Sequence, residues 1–275
     1  MIKPTALRRT IVCLLAGSLG ILCHAHAGPP QVTSAAAILI DATTGRVLYE
    51  KNPDEKRPVA STQKLLTALL VVEEGELDDL LTVADPDTKP EPTKLYIKTG
   101  EKYPRDDLVR ALLIKSPNDV AVALARDNAG SVEAFVEKMN EKALELGMTR
   151  STFKNPNGLP ADGQVSTARD MVRLAYAAYH NPKIRAITGT KQFTFEYPDG
   201  RTKSLLNTNR VLRSHDWCNG MKTGYTHASR HCLVASGAAN GKEVIAVLLG
   251  NSKHQIASEA NALLRFGLGL PQGGS

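Results

Sequence analysis

The sequence predicts an α/β fold in which an antiparallel sheet is flanked by helices and carries an inserted, mainly helical lobe at about residues 61–180. Three observations predict it. Strand-like runs stand at both ends of the chain, helical periodicity fills its middle, and the tight-turn pairs Asp199-Gly200 and Asn240-Gly241 punctuate the second strand-rich stretch. Strands so far apart in sequence share one sheet only if the helices between them lie to one side.

The elements follow in order. Residues 35–52 read as a hairpin: Ala36-Ala37-Ile38-Leu39-Ile40, a turn at Thr43-Thr44-Gly45, then Val47-Leu48-Tyr49. Over 61–74 the pattern is helical. Leu65, Leu66, Leu69, Leu70, Val71 and Val72 cover most of its surface and Gly75 stops it, which marks a buried helix. Asp106 or Asp107 caps a segment carrying Leu108, Val109, Leu112 and Leu113, and Pro117 opens a further helix that runs to Gly130. Ser131 caps a helix whose Val132, Phe135, Val136, Met139, Ala143 and Leu146 recur at helical spacing until Gly147. Thr167-Ala168-Arg169-Asp170 resembles a capping box before a helix ending near His180. From Gln192 the period returns to two, in 193–197, 234–239 and 244–249, and a helix over 255–266 closes the fold.

Composition limits the function classes. With 275 residues, 42% hydrophobic and 23% charged, the chain has ample material for a core, which excludes a disordered or fibrous protein. Residues 1–27 hold Lys3, Arg8 and Arg9 and no acid, then an apolar run over 11–22 and the small-x-small site Ala25-His26-Ala27. This is the pattern of an export signal cleaved before Gly28, since about 12 apolar residues fall short of the roughly 20 that span a bilayer. Without it the net charge falls from +6 to +3, because 34 − 3 = 31 basic residues face 28 acidic ones. No Lys/Arg block remains to track phosphates, so no nucleic acid partner is expected. The expected product is one catalytic domain, 28–275, periplasmic or secreted, with no stable membrane anchor and no C-terminal β domain. It keeps Cys218 and Cys232, for which a disulfide and two buried thiols are both open readings.

Three short constellations could carry chemistry. Ser61-Thr62-Gln63-Lys64 stands at the start of the buried helix, where residues three apart share a face and the Lys64 amine reaches the Ser61 hydroxyl. A serine is a weak nucleophile without a neighbouring base, and lysine is a base only when burial and a nearby cation lower its pKa. Ser116-Pro117-Asn118 lies between two helices, placed to point a hydroxyl and an amide into a cleft. Lys222-Thr223-Gly224, continuing through Tyr225-Thr226, reads as a strand offering a positive charge, a hydroxyl for a carboxylate and a bare surface for an extended peptide. A second copy, Lys98-Thr99-Gly100, sits in a turn-like setting ahead of Ser116 and reads as a decoy. His215, Cys218, His227, His231 and Cys232 near the third motif have spacings that zinc could use, but that stretch is needed as a continuous strand, so no metal or cofactor is expected.

Ser-x-x-Lys with Ser-Asp-Asn and Lys-Thr-Gly is a signature shared by penicillin-binding proteins and class A β-lactamases. With these three motifs in order, and with flanks such as Pro58-Val59-Ala60-Ser61 and Asn155-Pro156-Asn157-Gly158-Leu159, the chain over 34–266 resembles the D-alanyl-D-alanine carboxypeptidase family of serine peptidases. The resemblance implies a penicillin-binding protein or β-lactamase-like fold. It also implies hydrolysis of peptidoglycan peptides through an acyl-enzyme on Ser61, with Lys64 as base and the amides of Ser61 and Tyr225 as oxyanion donors. Ser116 and Lys222 would pass a proton to the leaving amine, Asn118 would hold the acyl part, Thr223 would receive a carboxylate beside Gly224, and β-lactams would act as covalent inhibitors. Pro117, Ser229 and Lys242-Glu243 depart from the family pattern, the last where some members place an arginine for the terminal carboxylate. A D,D-endopeptidase is therefore the alternative. A β-lactamase fits less well, because Glu133, Glu137 and Glu141 read as the solvated face of a helix rather than as a deacylating base.

Overall fold

A computed structural model of the chain describes residues 28–272, so the export signal expected at 1–27 lies outside the described residues. Strands β1 (Ala36–Asp41) and β2 (Val47–Lys51) form the first hairpin. A 3-10 turn at Ala60–Gln63 runs into α1 (Lys64–Glu74), which Gly75 ends at a φ of 86°. A small hairpin follows, β3 (Leu80–Thr82) with β4 (Lys102–Pro104). Five helices come next: α2 (Arg105–Ile114), α3 (Asn118–Ala129), α4 (Val132–Glu145), α5 (Ala168–His180) and α6 (Pro182–Thr188). A second hairpin, β5 (Gln192–Glu196) with β6 (Thr202–Leu206), precedes the short α7 (Arg210–Ser214). The chain returns through β7 (Cys218–Thr226), β8 (Arg230–Ala239) and β9 (Lys242–Asn251) to α8 (Ile256–Leu268).

The main sheet has five antiparallel strands in the order β2-β1-β9-β8-β7, with Ala36 opposite Leu249 at the β1–β9 seam and β7 at the edge. Both of its faces are covered. Ile38 and Ile40 of β1 with Ile245, Val247 and Leu249 of β9 join a core shared with α1 to α5, whereas Leu39, Val244, Ala246 and Leu248 pack with α7 and α8. This corrects one expectation. Strands β8 and β9 are buried runs rather than an apolar/polar alternation, because a sheet covered on both faces has no wet side for polar residues to occupy.

Local chemistry explains the boundaries. The β8–β9 turn is Asn240-Gly241, with φ of 54° and 70°, the left-handed pair a two-residue hairpin loop requires. Ser131 Oγ accepts the Ala134 N–H at 3.0 Å and Thr167 Oγ1 accepts the Asp170 N–H at 3.0 Å. The return half of the capping box at Thr167 is absent. The Asp170 carboxylate turns instead to the Arg150 N–H at 2.9 Å and the Ser151 hydroxyl at 2.8 Å, tying the preceding loop to α5. Glu133, Glu137 and Glu141 are exposed on α4.

Cys218 and Cys232 are free, buried thiols in the two cores on opposite sides of the sheet, and burial pushes each thiol up to about 11. A protein spanning 28–275 is expected to react with a thiol reagent at neither cysteine when native and at both in denaturant. Thiol titration before and after unfolding checks this, and a protein that shows no thiol even after unfolding would contradict it.

Candidate active site

Ser61 sits in the 3-10 turn that feeds α1, so the three-residue spacing to Lys64 covers one tight turn. The Lys64 ammonium donates to Ser61 Oγ at 2.9 Å, to Asn118 Oδ1 at 2.7 Å and to the Asn157 carbonyl at 2.7 Å. The Ser61 hydroxyl itself donates to the same Asn157 carbonyl at 3.2 Å. Lys64 is 0% exposed, and its pKa is pushed well below the lysine range by burial first and by Lys222 second, with Asp119 pulling the other way. Lys222 is also 0% exposed, donates to the Thr223 carbonyl at 2.9 Å, and is pushed down by burial to about 7. These are the conditions under which a lysine amine acts as a base near neutral pH.

Ser116 and Asn118 enter from the α2–α3 junction. Pro117 caps α3 at a φ of −65°, and Ser116 before it takes a left-handed φ of 71°, a conformation that costs a serine about 1–3 kcal/mol. Its hydroxyl is buried with no hydrogen-bond partner among the described residues. A strained, unsatisfied hydroxyl at a cleft is the kind of exception that function explains. Asn118 is buried and donates to the Glu91 carbonyl at 3.1 Å, while its own N–H bonds the Thr93 carbonyl at 2.7 Å.

Strand β7 supplies the third wall. A Cβ at Gly224 would stand 3.0 Å from the Ser61 and Thr62 nitrogens and from the Val59 carbonyl, so the bare strand lets the serine turn press against it. Thr223 Oγ1 lies 2.7 Å from Thr208 Oγ1, and Tyr225 is 58% exposed, its ring stacked on His231 at 4.4 Å. Ser61, Ser116, Asn118, Thr223, Gly224 and Tyr225 line one cleft of about 440 Å³, with Lys64 and Lys222 buried behind it. All eight sequence-predicted residues are thus brought together, and Lys98-Thr99-Gly100 is an exposed turn elsewhere.

Sequence reasoning gave no role to the Asn157 carbonyl, to Gly158 or to Asp119. Gly158 holds a φ of 84°, and a Cβ there would be 2.3 Å from the Ala60 carbonyl and 2.8 Å from the Ser61 nitrogen, so only glycine lets the 155–159 loop reach the serine turn. Asp119 is buried beside Asn118 and accepts the Leu95, Tyr96 and Val120 N–H groups at 2.8–3.0 Å, fixing the strand of loop that follows Pro92 and Thr93 on the cleft wall. The turn-forming run Asn155-Pro156-Asn157-Gly158 was the available signal for the first two. Gly158→Ala is expected to cost roughly 3 kcal/mol of stability and most of the reactivity of Ser61, against about 1 kcal/mol for Gly45→Ala. Gly45 shares the positive φ but has open space around it, so equal unfolding midpoints for the two variants would overturn the close-approach argument.

The departures from the family pattern also find places. Ser229 is buried in the β7–β8 turn, where its Oγ accepts the Thr226 N–H at 2.9 Å and its own N–H bonds Thr226 Oγ1 at 3.0 Å. Lys242 and Glu243 begin β9 outside the cleft, and Glu243 pairs with Arg185 at 2.8 Å. Around the third motif, His215 stacks on Trp217 and His231 on Tyr225, and the two cysteines lie on opposite sheet faces.

This architecture is that of the D,D-peptidases: the chain superposes on the D-alanyl-D-alanine carboxypeptidase of Mycobacterium tuberculosis with a TM-score of 0.84 and 30% identity, covering 92% of this chain and 97% of that one. In sequence it is 35% identical over 222 residues to the D-alanyl-D-alanine carboxypeptidase DacF of Bacillus subtilis, covering 79% of this chain and 57% of DacF. It is also 35% identical over 229 residues to a D-alanyl-D-alanine endopeptidase of Escherichia coli, covering 81% and 73%. The profile of the D-alanyl-D-alanine carboxypeptidase family matches residues 24–253, and the chain belongs to that family. It spans little more than half the length of DacF.

Proposed function

We propose that this chain is a serine D,D-peptidase that hydrolyses the D-alanyl-D-alanine bond of peptidoglycan stem peptides, releasing the terminal D-alanine. The observation that carries this reading is the buried Lys64 amine 2.9 Å from Ser61 Oγ, with its proton affinity lowered by burial and by Lys222. Neutral Lys64 takes the Ser61 proton as Oγ attacks the penultimate carbonyl. The amides of Ser61 and Tyr225 receive the oxyanion, a contribution of about 3 kcal/mol in comparable sites. The proton then travels by way of Ser116 and Lys222 to the leaving amine. Asn118 holds the acyl side and Thr223 accepts the carboxylate of the leaving residue. Water releases the acyl group from Ser61, and a β-lactam acylates the same oxygen. Export to the periplasm or beyond follows the signal pattern at 1–27, and no described helix is long and apolar enough to cross a membrane.

Cleavage of cross-links by the same acyl transfer is the second reading. It is favoured by the absence of any acid among the described residues of the cleft walls and the presence there of Lys115, Arg210 and Lys253. Incubating residues 28–275 with muropeptide monomers and cross-linked dimers separates the two: free D-alanine from pentapeptide monomers is the expected product of the first, monomers from dimers that of the second. A protein that yields neither product and takes up no labelled penicillin would overturn both.

A further inference from the structure

The cleft carries unpaired positive charge. Lys115, Arg210 and Lys253 are among its walls, and none of them takes part in an ion pair among the described residues. Several arginines outside the cleft are matched, among them Arg105 with Asp127, Arg126 with Asp87, Arg169 with Asp54 and Arg185 with Glu243. What sets the cleft apart is that its three cations share one concave surface with no acid among its described walls. Cations left without partners in a concave surface raise the local concentration of anions and favour an anionic ligand.

Their position says which part of a substrate they meet. Side chains alternate along β7, so Lys222 and Gly224 turn toward the serine and the helical lobe, and Thr223 and Tyr225 turn to the other side. There Thr223 meets Thr208, two residues before Arg210, and Tyr225 stacks on His231. His231, Arg210 and Lys253 line the same cleft, and partial burial first, then the charges of Lys253, Arg230, Arg210 and His254, push the His231 pKa down. Lys253 lines that cleft with Ile256 and Ala257 at the start of α8.

We propose that Arg210 and Lys253 form a second anion subsite beyond Thr223, which binds a distal carboxylate of the leaving peptide when the substrate is a cross-link. A departing D-alanine carries one carboxylate, which Thr223 receives. The amino component of a cross-link is itself a peptide, with a carboxylate near the reacting nitrogen and others along its own chain. This inference rests on the D,D-peptidase reading and assigns that site a preference between its two substrate classes.

Two synthetic substrates test it, sharing the acyl half and the scissile bond and differing only in a distal carboxylate or carboxamide on the leaving peptide. The wild-type protein at low salt is expected to favour the carboxylate in kcat/KM by about tenfold, the factor that ~1.4 kcal/mol of ion pairing supplies. The preference narrows as salt screens the exposed charges. In Arg210→Gln/Lys253→Gln the ratio is expected to fall to within about twofold of unity, and in Arg210→Lys/Lys253→Arg to persist, because charge and not shape carries most of a monodentate contact. A wild-type ratio near one, or a ratio unchanged in the double glutamine variant, overturns the subsite. Penicillin labelling of the wild-type protein reports separately on the D,D-peptidase reading. Should that fail, calorimetry of the Ser61→Ala protein with the two leaving peptides still decides the subsite, by the same ratio in Kd.

Discussion

Ser61→Ala is expected to abolish covalent labelling by penicillin and to lower peptide hydrolysis by about ten-thousand-fold or more, since Ser61 carries the cleft hydroxyl that the Lys64 amine contacts. The fold should survive. Ser61 Oγ contributes one hydrogen bond to the Asn157 carbonyl and accepts one from Lys64, and that amine keeps Asn118 and the same carbonyl as partners. The variant should therefore unfold within about 1 kcal/mol of the wild type, the net worth of one such bond. Labelling followed by intact-mass measurement checks the first claim and thermal unfolding the second. A penicillin adduct on the Ser61→Ala protein would move the nucleophile to another residue.

Lys222→Met is expected to act in opposite directions on activity and stability. The folded chain releases the Lys222 proton near pH 7, whereas an unfolded chain holds it to about 10.5. Between those values the unfolded state binds more protons, so stability rises with pH. Below about pH 7 both states are charged and the full cost of burying the ammonium is present. Lys64, lowered by the same burial, adds a slope of the same sign. The wild-type melting temperature should climb from pH 7 toward 10, and in Lys222→Met that climb should be shallower, with a gain on the order of a few kcal/mol at pH 6. Hydrolysis should fall at every pH. Wild-type kcat/KM should be bell-shaped: neutral Lys64 sets the acid limb, and loss of the Lys222 proton near pH 7 sets the alkaline limb. Parallel melting curves for the two proteins would remove the buried charge from the account.

Much of this molecule is legible in its sequence, for reasons that differ by residue. Ser61 and Lys64 were readable because a helical turn converts their spacing directly into contact. Ser116, Asn118 and Lys222 were readable only by motif order, since nothing local in their flanks dictates that they meet. The Asn157 carbonyl was invisible because a main-chain atom leaves no mark on residue type, and Gly158 looked like any turn glycine until its closeness to Ala60 was known. Asp119 beside Asn118 carries no mark of its role in the sequence, because only its burial reveals that it organises the 95–96 backbone. In the fold, the turn at Asn240-Gly241 was plain from its residues. The alternation expected in β8 and β9 failed because coverage of a sheet's second face by α8 is a tertiary fact that no short window contains. The small hairpin β3–β4 and helix α6 escaped for the opposite reason, being too short to establish a period.

The seam between β1 and β9 also sets a timetable. As the polypeptide is synthesised from its amino end, β1 and β2 emerge first, yet the strand that must lie against β1 is nearly the last to arrive. Until it does, the nascent sheet exists as two halves with bare edges, each able to recruit a stranger's backbone. Such long-range closure is slow, and a chain that stops short of Asn251 would be left as a sticky fragment rather than a smaller enzyme.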